Sequence, residues 1–465
     1  MPELTTPRVT TAIPGPESLR LLKRQAASES AARSYPRRLP IAISRAEGAL
    51  VEDVDGNVYL DFLTGAGAVS LGHSNPEITA AAAQQLTTFV HGLDLPTPAK
   101  DRFTQLQLEM LPESMRGRFA VHYCGPTGAN AVEAAIKLCK IATGRGEVIA
   151  FQGGFHGSTA GAMAATGALY PKSRVPNGLP GVHFFPFSYC SRCPLGLSPD
   201  SCATNCAAYL ENALTDPNAG IAKPAAVLVE AVQGEGGGIP ATREFLRRVR
   251  EITRRLGIPL ILDEVQTGCG RTGTWFAFEQ YGIEPDVIVA SKALSGIGIP
   301  CAILLYDKTL DVWDPGAHIG TFRGNQLAFA AGAAAIDLMR RDQVLDNVRD
   351  RGQQLAARLH AIVEKSSWAM EARGVGLMQC IELTGSAAGA AHQIQAAALH
   401  AGLILEVGGR DDRVLRLLPP LTITEEQVEL GADLLELAFA RCELGHPPTA
   451  DHEHATTHPS RVEPA

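Results

Sequence analysis

No stretch of this 465-residue sequence approaches the roughly 20 consecutive apolar residues that a membrane-crossing helix needs. The N-terminal MPELTTPRVTTAIPGPESLR has no signal-peptide core. Charge of one sign is not in excess either: a formal net charge of -8 is modest at this length and points to neither nucleic acid nor an anionic membrane surface. There is no internal repeat. These absences leave a soluble protein, expected in the cytoplasm, with enough chain to bury a large core.

Cysteine is present but without the intervals of a common zinc module. Most of the ten cysteines, among them Cys124, Cys139, Cys301 and Cys380, sit singly in apolar stretches, where a thiol behaves as a small hydrophobe. Cys190, Cys193, Cys202 and Cys206 lie close together and could hold zinc or an iron–sulfur cluster. The expectation is that they are structural or adventitious and that the protein holds no metal.

Residues 1–40 read as an extended or partly helical arm, and residues 49–62 as a hairpin turning at Asp55-Gly56. From about 70 to 330, strand patterns at 119–123, 147–151, 225–232, 258–265, 286–291 and 300–306 alternate with helical stretches such as 128–142 and 242–256. That alternation predicts an α/β architecture with a mainly parallel sheet flanked by helices. An amphipathic helix is expected over 345–365. The division is then an arm and part of a small domain over 1–70, a large domain over 71–335, and the C-terminal part of a smaller α+β domain over 336–440. The remainder, 441–465, is expected to be a disordered tail, its histidines at 446, 452, 454 and 458 solvated.

Two strand endings carry the chemistry. The run 260–263 ends in Asp263 and the run 286–291 leads into Lys292, so each apolar strand delivers a charge to a sheet edge. With a stretch read as helical between them, the two would meet at the carboxyl ends of parallel strands, where open α/β sheets bind ligands. There a carboxylate can hold a pyridinium nitrogen while a lysine forms a Schiff base, the pairing that pyridoxal phosphate requires. The cofactor's phosphate needs backbone donors, and the strand, Gly125-Pro126 turn and helix start at Gly128-Ala129 would supply them at a helix N-terminus; the alternative is an ordinary helix capped by Thr127. Phe155, flanked by glycines, can lie against a planar ring, although a core Phe is the plainer reading. Val265, two residues beyond Asp263 on an extended strand, would face the ring from the other side, and Gln266 could bond the phenolic oxygen.

Taken together, GPTGANAVEAAIK (125–137), FHG (155–157), EAVQGEGG (230–237), LILDEVQTGCGRTG (260–273), SKALSGIG (291–298), GTFRGNQLA (320–328) and VLRLLPPLTIT (414–424) resemble the class III aminotransferases of fold type I over roughly residues 40 to 435. SGIG after the lysine, HIGTFRGNQ (318–326) and the insertion YCSRCPLGL (189–197) resemble most the diaminobutyrate–2-oxoglutarate aminotransferases, the ectoine branch included.

That resemblance implies a role for each position. Lys292 would be the Schiff-base lysine and the base that moves the proton, and Asp263 would keep the pyridine nitrogen protonated. Gly128 and Ala129 would hold the phosphate, Phe155 and Val265 would flank the ring, and Gln266 would bond its oxygen. Thr321 would reach the phosphate of a neighbouring subunit, which requires a homodimer with shared active sites. Arg416 would grip the α-carboxylate of glutamate or 2-oxoglutarate, and Glu235 would pair with Arg416 when a terminal amine is the donor. The expected substrates are an amino acid and a keto acid, L-2,4-diaminobutyrate and 2-oxoglutarate. Phe155 stands where Tyr is frequent in the family, Cys269 replaces a usual aliphatic, and Asn130 replaces a frequent acid. The same lysine, aspartate and phosphate loop would also serve pyridoxal phosphate chemistry other than amino transfer, such as racemisation, decarboxylation or annulation. A non-catalytic cofactor-binding protein is the remaining alternative, against which Lys292 and Arg416 argue.

Overall fold

The computed structural model describes residues 4–170, 172–175, 178–387 and 389–445. Of the expected tail, 441–443 instead close the helix Glu425–Glu443, and 446 onward lies outside the described residues. A seven-stranded sheet forms the centre. Across it the strands run Phe119–Tyr123, Ile303–Asp307, Val287–Ala290, Leu260–Asp263, Ala226–Val229, Val148–Phe151 and Val182–Phe185. Only Ile303–Asp307 is antiparallel to its neighbours, so the sheet is mainly parallel, as the alternating pattern implies. The inner strands are buried along their whole length, which explains their unbroken apolar sequences. The Val182–Phe185 strand has no counterpart among the expected strands. It is a four-residue edge strand with only Phe185 buried, so its hydrophobic signal is weak.

The helix Gly128–Thr143 packs on one face of this sheet with Ala131, Val132, Ala135, Leu138 and Cys139 buried. The opposite face holds a larger cluster in which Phe151, Phe187 and Phe245 meet edge to face, their centroids 5.4 to 6.3 Å apart. Phe245 comes from the helix Arg243–Leu256, whose charged residues outline one apolar stripe.

A separate core joins the early hairpin to the later chain. Strands Leu50–Asp53 and Val58–Asp61 pair antiparallel through the Asp55-Gly56 turn, and Leu403–Ile404 adds in parallel beside the second. Phe62, Leu355, Leu359, Leu415, Leu435 and Phe439 fill this core together with the helices Val344–Lys365 and Glu425–Glu443. A four-stranded antiparallel sheet, in the order Ala369–Val375, Met378–Leu383, Val414–Leu417 and Glu406–Gly408, presents Arg416 toward the large sheet. The arm docks through its helix Pro16–Ser28: the Asp55 carboxylate accepts the first-turn amides of Glu17 and Ser18, both at 2.8 Å.

Two local expectations differ from what is found. Between Asp263 and Lys292 there is no α-helix, only a short 3-10 turn at Ala277–Tyr281, because Gly268, Gly270 and Gly273 break the segment. The strand also ends at Asp263, so Val265 is placed by a turn and not by extended alternation.

Candidate active site

The ends of four adjacent parallel strands converge on one cavity of about 170 Å³. Its lining includes Gly128, Ala129, Phe155, Asp263, Val265, Gln266, Glu235 and Lys292. The sequence thus brings together eight of the expected site residues. Arg416 stands directly behind Glu235. Thr321 does not line this cavity; it lies in an exposed turn.

At the floor, Asp263 is nearly buried, 5 % exposed, and its Oδ2 meets His156 Nδ1 at 2.7 Å. Its Oδ1 accepts the Val265 amide at 3.0 Å, which fixes the carboxylate and turns the chain out of the strand. Burial works against a charged His156, but the bond to Asp263 and that residue's charge prevail and raise its pKa. Glu230 stands beside this pair and ties two loops: Oε1 accepts the Phe155 amide and Oε2 the Gly234 amide, each at 2.9 Å. Burial pushes Glu230 up to about 7 against the opposing pull of His156.

Lys292 opens a one-turn 3-10 helix in left-handed backbone, φ 37°. A non-glycine residue in that region costs about 1–3 kcal/mol, a strain found mostly where a side chain must be aimed. Burial lowers the pKa of its ammonium, while Glu235 pulls the other way. A lysine shifted down in this manner is a better nucleophile near neutrality.

The helix start at Gly128 satisfies both readings of that segment. Thr127 is the N-cap and forms a capping box with Asn130. The Gly128 and Ala129 backbone nonetheless lines the cavity, with the positive end of a 16-residue helix behind it. A Cβ on Gly128 would sit 2.8 Å from Val265 Cγ1, so glycine is needed for the loop to approach this side chain. The residues therefore fit pyridoxal phosphate: a lysine for the aldehyde carbon, a fixed carboxylate for the ring nitrogen, a tight backbone cradle for the phosphate, and Phe155 and Val265 as apolar walls.

At the other end, Arg416 is 1 % exposed and makes a two-pronged bond to Glu235, Nη1 to Oε2 at 2.7 Å and Nη2 to Oε1 at 2.9 Å. Nη2 also reaches Gln266 Oε1 at 3.2 Å. The loop carrying Glu235 passes so near that a Cβ on Gly234 would fall 2.0 Å from Gln266 Oε1. Burial alone would raise the pKa of Glu235; Arg416 and Lys292 hold it below the usual carboxylate range. Glu406 adds a second carboxylate, its Oε2 lying 3.2 Å from Arg416 Nη1.

Sequence reasoning missed His156, Glu230 and Glu406 as site residues. The first two lie inside motifs singled out above, next to Phe155 and ahead of Glu235, and a charged or titratable residue at the end of an apolar strand was the available signal for Glu230. Glu406 reaches Arg416 only because their strands pair antiparallel with these two residues in register, which no local pattern reveals.

The YCSRCPLGL insertion docks away from the cavity. Arg192 Nη2 bonds Glu382 Oε1 at 2.5 Å, the Tyr189 hydroxyl bonds the same carboxyl group, and Arg373 Nη1 joins it at 2.6 Å. All ten cysteines are free thiols, and among the described residues no group of three or more His, Cys, Asp or Glu side chains is placed to hold a metal ion.

The family model for aminotransferase class-III matches residues 31–439. A diaminobutyrate–2-oxoglutarate aminotransferase of Rhizobium meliloti (strain 1021) is 48% identical over 434 residues, covering 90% of this chain and 92% of the relative. One of Haemophilus influenzae is 45% identical over 422 residues, covering 88% and 92%. Among solved structures, a pyridoxal-phosphate-bound amine transaminase from an uncultivated Pseudomonas species superposes with a TM-score of 0.81 at 28% identity, covering 89% of this chain and 98% of that one. The ornithine aminotransferase from Toxoplasma gondii ME49 gives 0.80 at 26% identity, covering 92% and 96%.

Proposed function

The chain belongs to the class III aminotransferases, pyridoxal phosphate enzymes of fold type I, and from that premise we propose that it moves the terminal amino group of L-2,4-diaminobutyrate to 2-oxoglutarate, giving aspartate 4-semialdehyde and glutamate, or runs the reverse. The observation that carries this reading is the Arg416–Glu235 pair next to Lys292. The names of the relatives support it.

Pyridoxal phosphate, when bound, supplies an aldehyde carbon that can hold an amino group and a ring that withdraws electrons from the bonds next to it. The protein's part is binding, orientation and proton movement. Lys292 Nζ would be the group that holds the aldehyde carbon and moves the substrate's proton. Asp263, held by His156 and by the Val265 amide, would keep a proton on the ring nitrogen. The amides of Gly128 and Ala129 would hold the phosphate, Phe155 and Val265 would flank the ring, and Gln266 would bond its oxygen.

Arg416 and Glu235 sort the two substrates. With Glu235 in place the guanidinium is occupied, so a donor bearing a terminal amine is not forced to present its α-carboxylate there. When 2-oxoglutarate arrives, its carboxylate displaces Glu235 and takes the planar fork. The working assembly is a homodimer in which Thr321 completes the neighbouring subunit's phosphate site. Support comes from the exposed position of Thr321 beside Ile319 and Phe322, which are 73% and 69% exposed. A cytoplasmic setting is consistent with the absence, among the described residues, of any helix long and apolar enough to cross a membrane.

The test is glutamate formation from 2-oxoglutarate with a panel of diamines, diamino acids and ω-amino acids. L-2,4-diaminobutyrate should lead the panel, and the enzyme should stop after one turnover when the keto acid is withheld. Continued turnover without an acceptor would instead favour lyase, racemase or annulating chemistry.

A further inference from the structure

We infer that Glu230 is the positioning residue of the Glu235 gate: it pins the loop 234–238 at its first amide, so that Glu235 leaves Arg416 by turning its side chain while the loop stays in place. This role rests on the exchange of partners at Arg416 proposed above. Four of the five loop residues, Gly234, Gly236, Gly237 and Gly238, are glycines around Glu235. The loop closes a hairpin whose strands, Val232–Gln233 and Ile239–Pro240, pair over only two residues each. Gly237 and Gly238 use left-handed backbone, φ 119° and 61°. Such a chain has wide conformational freedom, and unanchored it would carry Glu235 off the guanidinium.

Anchors hold the loop from two sides. On the far side Arg373 donates to the Gly237 carbonyl from Nε at 3.1 Å and from Nη2 at 2.8 Å, and the Gly409 amide donates to the Glu235 carbonyl at 3.1 Å. On the near side the Gly234 amide donates to Glu230 Oε2 at 2.9 Å. Glu230 shares the cavity lining with Gly234 and Glu235 and is only 7 % exposed, so this bond is sheltered from water. A buried amide that loses its acceptor is costly, which keeps Gly234 where Glu230 holds it.

The other oxygen, Glu230 Oε1, accepts the Phe155 amide at 2.9 Å. One carboxylate thus sets the gate against the side chain expected to flank the cofactor ring. Burial pushes Glu230 up to about 7, against His156 and these two amide bonds, which favour its charged form. Neighbours also leave the loop little room to slide. A Cβ on Gly234 would fall 2.0 Å from Gln266 Oε1, and one on Gly236 would fall 2.4 Å from the Gly153 carbonyl oxygen.

The experiment measures kcat/KM of the holoenzyme for glutamate and for L-2,4-diaminobutyrate. Glu230→Ala removes both acceptors. Any loss through Phe155 falls on both donors alike, so their ratio reports the gate. That ratio should shift toward glutamate by about 10-fold, because a loosened loop leaves Arg416 open to an α-carboxylate more often. In a Glu235→Gln background the same substitution should move the ratio no further, since the two residues then act as one unit. An unmoved ratio, or a shift that adds in full to that of Glu235→Gln, overturns the inference. Should Glu230→Ala fail to fold, hydrogen exchange of the amides over 233–239 in the unaltered holoenzyme decides. The Gly234 amide should stay protected when 2-oxoglutarate is added, and loss of that protection would show the loop moving as a whole and overturn the inference. Failure of the unaltered protein to react with diaminobutyrate removes the donor reading and this role with it; reaction with an unmoved ratio removes the role of Glu230 alone.

Discussion

The two ends of the cavity are built on different principles. At the floor, Asp263 and Lys292 come from adjacent strands of one sheet, and Asp263 has two fixed partners, His156 and the Val265 amide. At the mouth, Glu235, Gln266, Glu406 and Arg416 come from four separate segments, and a third of the Glu235 side chain remains exposed. On the proposed function, the floor would hold the cofactor and the mouth an ion pair that 2-oxoglutarate exchanges. The proposed chemistry sits on the parallel sheet, and the proposed substrate choice where a second sheet meets it.

The largest effect should come from the floor. Lys292→Ala removes the group proposed to move the proton at the substrate carbon, and turnover measured by glutamate formation should fall by about 10⁴-fold. Asp263→Asn keeps the size of the side chain but removes its charge. It should cost about 10²- to 10³-fold in kcat, because Asn cannot keep a proton on the ring nitrogen. If instead only KM rises, Asp263 is a binding residue alone, and the contrast between the two ends weakens.

At the mouth the effects should be smaller and unequal between half-reactions. Arg416→Lys replaces a planar fork by a point charge, so the KM for 2-oxoglutarate should rise by about 10- to 100-fold. The donor half-reaction, in which Arg416 is already occupied by Glu235, should change much less. Equal losses in both half-reactions would mean that Arg416 does not exchange partners. Glu235→Gln removes the competitor for Arg416 and should shift preference toward donors bearing an α-amino acid group, by about 10-fold. The measurement is the ratio of kcat/KM for glutamate to that for diaminobutyrate.

How far these ends were legible differs in the same way. The floor was readable because each piece is local: an apolar run ending in Asp263, another leading to Lys292, a turn before Gly128. The sheet could be inferred from alternation, and its inner strands were found because they are wholly apolar. Arg416 and Glu235 came only from resemblance to a family, since an arginine in Leu-Arg-Leu and a glutamate among glycines carry no local chemistry of their own. Glu406 was not visible, because its meaning arises from cross-strand register with Arg416. The missed edge strand Val182–Phe185 and the absent helix between Asp263 and Lys292 share one cause: short segments with little burial or several glycines give weak periodicity.

The carboxylates make the contrast measurable by pH. Glu235 has cations beside it and is held below its usual range. Glu264, next to Asp263, is 1 % exposed and is met by the Thr267 hydroxyl and by the amides of Ala277 at 3.1 Å and Phe278 at 2.9 Å, with no cation. Burial pushes it from 4.5 up to about 7 despite those bonds. A carboxyl group whose folded pKa is raised binds its proton more tightly in the folded state. Its contribution to stability is thus complete below about pH 4.5 and declines as pH rises through about 7. Across that window the decline is at most about 1.4 kcal/mol per pH unit for one group. Glu264→Gln carries no titrating proton, so the difference in unfolding free energy between the unaltered protein and the variant should follow this slope and become flat above neutrality. Glu230 titrates in the same window at about 7, so the variant should remove only part of the pH dependence of the parent. A flat difference from pH 4.5 to 7 would show that Glu264 is ionised in the fold and that the floor, like the mouth, balances its charges.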